Sequence, residues 1–160
     1  MALINEMSVE ALQDWSVYYF IKDLFAPVSF MNVRDEFPST QLIKEDLPSI
    51  SIESSFLRPR KFEMGNRLYH DIRRYQIHIF AKDNSTKKEY AYAIKNAIQQ
   101  KIPVKDYNAG FPPNVVATLG VLDVDDIEGN PIPVFAELVG TLYYRYRIMF
   151  TAEYSVAPSS

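Results

Sequence analysis

Residues 142–154 alternate between apolar and polar side chains more regularly than any other part of the chain. Successive side chains of a β-strand point to opposite faces, so every second residue shares a side. One face of this segment is polar or charged, with Arg145, Arg147 and Glu153, and the other is apolar. The apolar face consists of Leu142, Tyr144, Tyr146, Ile148, Phe150, Ala152 and Tyr154. The pattern predicts a strand that meets the core on one side and water or a partner on the other.

Three further segments also have strand patterns. Residues 49–56 alternate in the same way, and the apolar run over residues 115–124 suits a central strand. Residues 68–82 are apolar first at even positions and then, from Tyr75, at odd positions. Because strand side chains alternate strictly, this change of phase predicts a β-bulge near Arg73 and Arg74.

Turn-forming residues separate these strands. Residues 57–60 contain a proline, and Gly65 with Asn66 supplies residues that accept a positive φ, so both places are predicted turns. Residues 123–130 are rich in Asp, Asn and Gly and are predicted to form an acidic hairpin tip.

Two segments have helical patterns. Ser8 is a predicted N-cap for a helix over residues 9–25. A second helix is predicted to start within residues 83–86, where Thr86 and Glu89 have capping-box spacing. Its apolar face is Tyr90, Ala91, Ile94, Ala97 and Ile98. The sequence therefore predicts an α+β fold, a mostly antiparallel sheet of five to seven strands with two packed α-helices.

Length and composition indicate a single unit. A chain of 160 residues fits one domain, which we assign to residues 1–156, with a disordered tail over 157–160. Residues 28–47 have neither a strand nor a helix period and are predicted to form an extended arm or loop. Such long irregular segments inside compact domains are usually functional or partner-bound. The chain has no cysteine, which excludes disulfides and cysteine-based metal sites.

The first helix has more apolar surface than one contact needs. It is either enclosed within its own domain or partly covered by a neighbouring subunit, and the sequence leaves both open. Trp15 and Tyr19 flank its apolar stripe, while Phe30 and Phe37 lie in the irregular arm. These four residues are the candidate subunit interface, since exposed apolar surface of this kind calls for a partner.

Charge is segregated along the chain. Residues 1–50 carry 3 basic and 8 acidic side chains, residues 51–110 carry 12 and 6, and residues 111–160 carry 2 and 6. The basic middle favours either nucleic acid or, with its acidic flanks, contact between copies of the chain. No aromatic pattern typical of RNA-binding modules accompanies it, so nucleic-acid recognition is the weaker interpretation, and an ordinary solvated surface stays open beside it.

The acidic residues of the third segment form a second candidate surface. Asp123, Asp125, Asp126 and Glu128 lack the spacing of a calcium-binding EF-hand loop. We interpret them as a solvated tip that faces either a central channel, an axial docking surface or the outer rim of an assembly.

No catalytic or cofactor motif is present. The two histidines, His70 and His78, lie eight residues apart on one predicted strand and are too distant to share a metal. Phosphate-binding, nucleotide-binding and nucleophile-elbow patterns do not occur. We expect no cofactor, no metal and no enzymatic activity. The start of the chain lacks a secretory signal and no apolar run is long enough to span a membrane, so we expect synthesis in the cytoplasm.

Several runs, taken in order, resemble a known family. They are residues 46–53 (DLPSISIE), 62–65 (FEMG), 75–83 (YQIHIFAKD), 104–108 (VKDYN) and 144–150 (YRYRIMF). Over residues 46–154 the chain resembles tail-terminator and neck proteins of long-tailed bacteriophages.

The resemblance implies a structural subunit of the virion that forms a ring, usually six-fold. Such a ring caps the tail tube protein and docks beneath the head-completion or connector protein, and DNA passes through it without specific binding. It implies assembly in the host cytoplasm and no catalytic residues. A head-completion or connector ring is the alternative, and a small ligand-binding or enzyme domain is a third hypothesis from another class.

Overall fold

The computed structural model describes residues 6–28, 31–35, 47–61, 69–132 and 144–156, with side chains described except at 55–61 and 69–71. The helices are α1, Val9–Leu24, and α2, Asn84–Ile98. The strands are β1, Asn32–Arg34; β2, Ser49–Lys61; β3, Tyr69–Ala81; β4, Ile102–Lys105; β5, Thr118–Ile132; and β6, Tyr144–Val156. No helix within these ranges is both long and apolar enough to cross a membrane.

The strands form one mixed sheet in the order β1-β2-β3-β6-β5-β4. β1 pairs with β2 in parallel, and every other pairing is antiparallel. The predicted α+β class, with a mostly antiparallel sheet and two packed helices, is confirmed. The short parallel strand β1 is formed by residues of the segment that had been predicted to be an irregular arm.

Both helices pack on the same face of the sheet. The main core cluster combines buried residues of α1 and α2 with one face of each of the strands β2 to β6. Its large, fully buried side chains include Ile21, Ile50, Tyr75, Ile94, Leu122 and Phe150. Helix α1 contacts both β1 and β4, which are the two edge strands, and this requires the sheet to curl around α1.

Helix α1 begins at the N-cap that the sequence predicts. The Ser8 hydroxyl accepts a hydrogen bond from the Ala11 N–H at 3.2 Å, which satisfies a free donor of the first turn. Inside the helix, the buried Ser16 hydroxyl donates to the Leu12 carbonyl at 2.7 Å and accepts from the Lys105 N–H at 3.1 Å. One hydroxyl therefore joins α1 to β4.

Helix α2 begins earlier than the predicted capping box implied. Asp83 is the N-cap, and its carboxylate accepts from the Thr86 N–H at 2.7 Å and from the Thr86 hydroxyl at 2.9 Å. These bonds lower the pKa of Asp83. The Thr86 and Glu89 assignment was wrong by one turn, because an ionised Asp is the better acceptor at a helix N-terminus. The buried face, with Ala91, Ile94 and Ile98, agrees with the prediction.

Two predicted turns were wrong. Residues 57–60 continue β2, paired with β3 as far as Lys61, and residues 123–130 lie inside β5, paired with β6. In both places, pairing with an adjacent strand stabilises an extended backbone that the local sequence disfavours. The Gly65–Asn66 turn lies outside the described residues, as do Leu142 and residues 157–160.

The predicted bulge in β3 was also wrong. Residues 72–81 of β3 pair with β6 without interruption. The register shifts instead in the pairing of β3 with β2, and the irregularity lies in β2 between Ser54 and Phe56. The change of phase has another cause: Arg73, only 5% exposed, occupies a position on the core face beside Tyr75, which is buried. An arginine among apolar positions hid the regular alternation of the strand.

Arg73 is held by partners from α1 and β2. Its guanidinium donates to the Glu10 carbonyl at 2.8 Å and to the Ser54 hydroxyl at 2.6 Å, and lies 2.8 Å from the Asp14 carboxylate. The Tyr75 hydroxyl donates to the same carboxylate oxygen at 2.8 Å. A buried charge is tolerated only when it is paired and hydrogen-bonded in this way.

Replacing Arg73 with Ala should therefore destabilise the fold. The change removes the guanidinium that pairs with Asp14, whose carboxylate also accepts from the Tyr75 hydroxyl, and it opens a cavity between α1 and the sheet. We expect the free energy of unfolding to fall by about 2–4 kcal/mol, measured by chemical denaturation. Arg74→Ala, on the exposed side of the same strand, is the control and should cost at most about 1 kcal/mol. Equal effects of the two changes would contradict this role for Arg73.

Candidate subunit interface

An aromatic patch covers the outward side of α1. Trp15 stacks on Tyr19 at 5.9 Å between ring centroids, and it meets Tyr18 at 5.5 Å and Phe111 at 5.4 Å edge to face. Tyr107 stacks on Phe111 at 5.6 Å and lies 5.2 Å from Tyr19. We call these five residues the aromatic patch. Trp15, Tyr18 and Tyr19 remain partly exposed, and Phe111 is 38% exposed.

The loop after β4 completes the patch. The Asn108 side chain accepts a hydrogen bond from the Met7 N–H at 2.7 Å, which ties this loop to the start of α1. Gly110 has a φ of 145°, a conformation that favours glycine, and it leads directly into Phe111. Val115, farther along the same loop, is 99% exposed. The loop is therefore attached to the start of α1 and presents apolar side chains to the outside.

A small acidic cleft lies next to the patch. It has a volume of about 230 Å³, and Trp15, Tyr18, Asp14, Asp35 and Tyr75 contribute to its wall. Asp14 is half-exposed although it pairs with Arg73, and Asp35 is exposed. Burial, and next the negative charge of Asp14, raise the pKa of the Tyr75 hydroxyl, which therefore stays neutral. The cleft combines aromatic walls with carboxylates at its rim.

The sequence predicted part of this surface. Trp15 and Tyr19, both candidate interface residues, lie together in the aromatic patch, whereas Phe30 and Phe37 lie outside the described residues. Sequence reasoning missed Tyr18, Phe111 and the acidic cleft. The run Tyr18-Tyr19-Phe20, and an aromatic residue directly before Pro112 and Pro113, were the available signals.

The four candidate acidic residues lie in β5 rather than at a hairpin tip. Asp123, Asp125 and Glu128 pair with β6, and the register shifts between Asp125 and Glu128, where Asp126 has a φ of 51°. Asp123 accepts from the Ser155 hydroxyl at 3.0 Å and lies 3.4 Å from the Lys101 ammonium. Thr151 donates to the Asp125 carbonyl at 3.1 Å.

These acids follow an exposed sheet edge. β4 pairs with β5 only as far as Leu122, and in the described part of the chain no strand pairs with the outer edge of β5 after that residue. Charged side chains on such an edge oppose pairing with a foreign strand. The four acidic residues therefore lie along an edge of the sheet. Such an edge suits the wall of a channel, an axial docking surface or the outer rim of an assembly.

The face of the sheet without helices contains a buried histidine. The Nδ1 atom of His78 lies 3.1 Å from Nη2 of Arg145, and Nε2 lies 2.8 Å from the Glu53 carboxylate. An arginine only donates, so Nδ1 accepts and the proton resides on Nε2. Burial lowers the pKa of His78, the hydrogen bond to Glu53 opposes this, and Arg145 lowers the pKa further.

The described residues contain no group of three or more His, Asp or Glu side chains arranged to hold a metal ion. His78 has its contacts within the sheet, and the side chain of His70 lies outside the described set. The histidine geometry thus suits a structural role in the sheet.

Comparison with solved structures finds a chain of similar fold in the structure described as the virion of a native gene transfer agent (GTA) particle. The two align with a TM-score of 0.50 and 12% sequence identity, over 95% of this chain and 100% of that chain. No protein-family model and no curated protein matches the sequence. At this identity the similarity establishes a shared fold.

The lowered pKa of His78 predicts a loss of stability in mild acid. The unfolded histidine titrates near 6.5 and the folded one below that, so the unfolded state binds more protons between the two values. The free energy of unfolding should therefore fall as the pH drops through this window. Denaturant titrations at pH 7.5 and 5.5 should show this loss in the wild type and a smaller loss in His78→Gln. Identical losses would contradict the prediction.

Proposed function

We propose that the protein is a structural subunit of a phage-type virion, and more specifically a tail terminator. In this role, copies of the chain form a ring, six-fold as in the family it resembles, that caps the tail tube and joins it to the head or neck. The ring would assemble in the host cytoplasm and remain in the virion, and DNA would pass through it without specific binding.

The observation that carries the proposal is the shared fold with a chain of a virion particle. That similarity spans 95% of this chain and 100% of the other, so it is not confined to a common fragment. The runs that resemble tail-terminator and neck proteins lie in residues 46–154, and several of them form core strands of this sheet. Two independent kinds of likeness thus support one class of protein.

The surface is also suited to assembly. The aromatic patch leaves Trp15, Tyr18, Tyr19 and Phe111 partly exposed, and large aromatic side chains are enriched at the centre of protein interfaces. The charged segments of opposite sign favour a head-to-tail contact, in which two different surfaces of the same chain meet and a ring can close.

We also propose that the protein has no enzymatic activity. The acidic cleft, at about 230 Å³, is smaller than the pockets that usually hold a small-molecule ligand, which are roughly 300–1,000 Å³. Asp14, its most buried carboxylate, is already neutralised by Arg73. A ligand-binding or catalytic domain is therefore the weaker hypothesis.

The proposal predicts the mass of the purified protein in solution. Native mass spectrometry at micromolar concentration should find a closed oligomer, with six copies of the 18.5 kDa chain as the expected species. Incubation with purified tails and purified heads then separates the hypotheses: a terminator binds tail ends, whereas a connector binds the head vertex. A chain that stays monomeric and binds neither would contradict the proposal.

The acidic edge of β5 predicts a defect in DNA passage or head docking. A channel wall of carboxylates offers no cation to the phosphates of DNA, whereas a neutral wall repels DNA less. The triple change of Asp123, Asp125 and Asp126 to Asn keeps side-chain shape, and Asn tolerates the positive φ of Asp126. We expect normal assembly, with impaired DNA ejection if the edge lines the channel or poor head docking if it is axial. Wild-type infectivity would contradict both and favour the outer rim.

A further inference from the structure

Helix α2 presents an exposed stripe of one aromatic and two basic residues. Lys88, Tyr92 and Lys95 are spaced four and three residues apart, which places them on the same side of the helix. All three side chains are exposed. Tyr92 is 53% exposed, more than the other exposed aromatic side chains in the described part of the chain. The opposite side of α2, with Ala91, Ile94 and Ile98, is buried in the core. We call Lys88, Tyr92 and Lys95 the α2 stripe.

The acidic cleft has aromatic walls and carboxylates at its rim, which suit an aromatic and basic stripe. Its walls include the rings of Trp15 and Tyr18, and its rim carries Asp14 and Asp35. Its volume, about 230 Å³, is below that of drug-sized ligand pockets and suits a single side chain. An aromatic side chain can pack against these two rings, and an ammonium group can lie near the exposed Asp35 carboxylate at the rim.

The two surfaces are separate on one chain. Helix α1 meets α2 where Phe25 packs on Tyr90, with ring centroids 5.3 Å apart. Trp15 is ten residues earlier, about 15 Å along a helix that rises 1.5 Å per residue. Tyr92 remains exposed and does not contribute to the wall of its own chain's cleft.

We propose that the α2 stripe of one copy docks into the acidic cleft of the next copy, with the ring of Tyr92 packed against Trp15 and Tyr18. The inference rests on the proposed function, because a ring needs one repeated head-to-tail contact between two unlike surfaces. The lysines of the stripe then lie at the rim that carries the exposed Asp35, and this attraction between unlike charges sets the orientation of one copy relative to the next. The cleft is thus the receiving half of the subunit contact, and the α2 stripe is the inserting half.

The first experiment removes the inserted ring. Tyr92→Ala should weaken association about thirtyfold, since truncating a central aromatic residue of an interface typically costs 2 kcal/mol or more. Tyr92→Phe keeps the ring and should assemble nearly as the wild type does. The dissociation constants are measured by sedimentation, after circular dichroism has shown equal melting temperatures. If Tyr92→Ala lowers the melting temperature, the double variant Lys88→Glu with Lys95→Glu, which changes only exposed side chains, replaces it.

The second experiment tests the pairing of unlike surfaces. Asp35→Lys disables the cleft without touching the Arg73 network, and Tyr92→Ala disables the stripe. At a concentration between the wild-type and variant dissociation constants, each variant alone should stay unassembled. An equimolar mixture should form one-to-one dimers and no ring, because only one intact contact exists per pair. Lys82→Glu, an exposed charge reversal outside the stripe, is the control and should assemble normally.

The outcomes separate this inference from the proposed function. If the wild type assembles and Tyr92→Ala assembles equally well, the stripe is not the contact and the inference is overturned while the virion role stands. If either variant alone assembles as the wild type does, or if the mixture forms no mixed dimer, the inference is likewise overturned. A wild type that remains monomeric and binds neither tails nor heads overturns both.

Discussion

The buried guanidinium of Arg73 is the interaction on which the position of α1 depends. It joins the Glu10 carbonyl and the Asp14 carboxylate of α1 to Ser54 of β2, while its own strand, β3, lies in the middle of the sheet. The first half of α1 is therefore held by charge-assisted hydrogen bonds, and the second half by apolar burial of Val17 and Ile21. Because Asp14 belongs both to this network and to the rim of the acidic cleft, the same bonds that fix the helix also shape the candidate interface.

The sheet can be predicted from sequence where one face is uniformly apolar. β6 follows its predicted alternation, with Ile148, Phe150 and Ala152 buried, because nothing in that strand interrupts the period of two. In β3, a single buried arginine produced the appearance of a phase change, and a pattern of hydrophobicity cannot distinguish a polar residue that is buried with partners from one that faces water. Only the tertiary structure brings Asp14 and Ser54, from distant parts of the chain, to that arginine.

The candidate site was predictable in its residues more than in its geometry. Trp15 and Tyr19 could be predicted because the helix that contains them has more apolar surface than one contact needs. The cleft also depends on Asp35 and Tyr75, which no sequence motif connects to that helix. The acidic run in β5 was misread as a turn for a similar reason. Asp and Asn favour turns locally, whereas pairing with β6 over residues 120–132 keeps the chain extended, and the partner strand begins only at Tyr144.

The edges of the sheet favour contacts through side chains, rather than through added strands, in the proposed assembly. β1 has three residues, and β4 has four, including Pro103, which lacks a backbone donor. Where β5 extends past β4, its outer edge carries Asp125, Asp126 and Glu128, and the irregular register twists the strand there. Short strands, proline, charge and bulges are the ordinary means by which proteins prevent edge-to-edge pairing. With the edges blocked in the described part of the chain, the partly exposed aromatic patch and the charged, exposed face of α2 are the surfaces best suited to specific contact between copies.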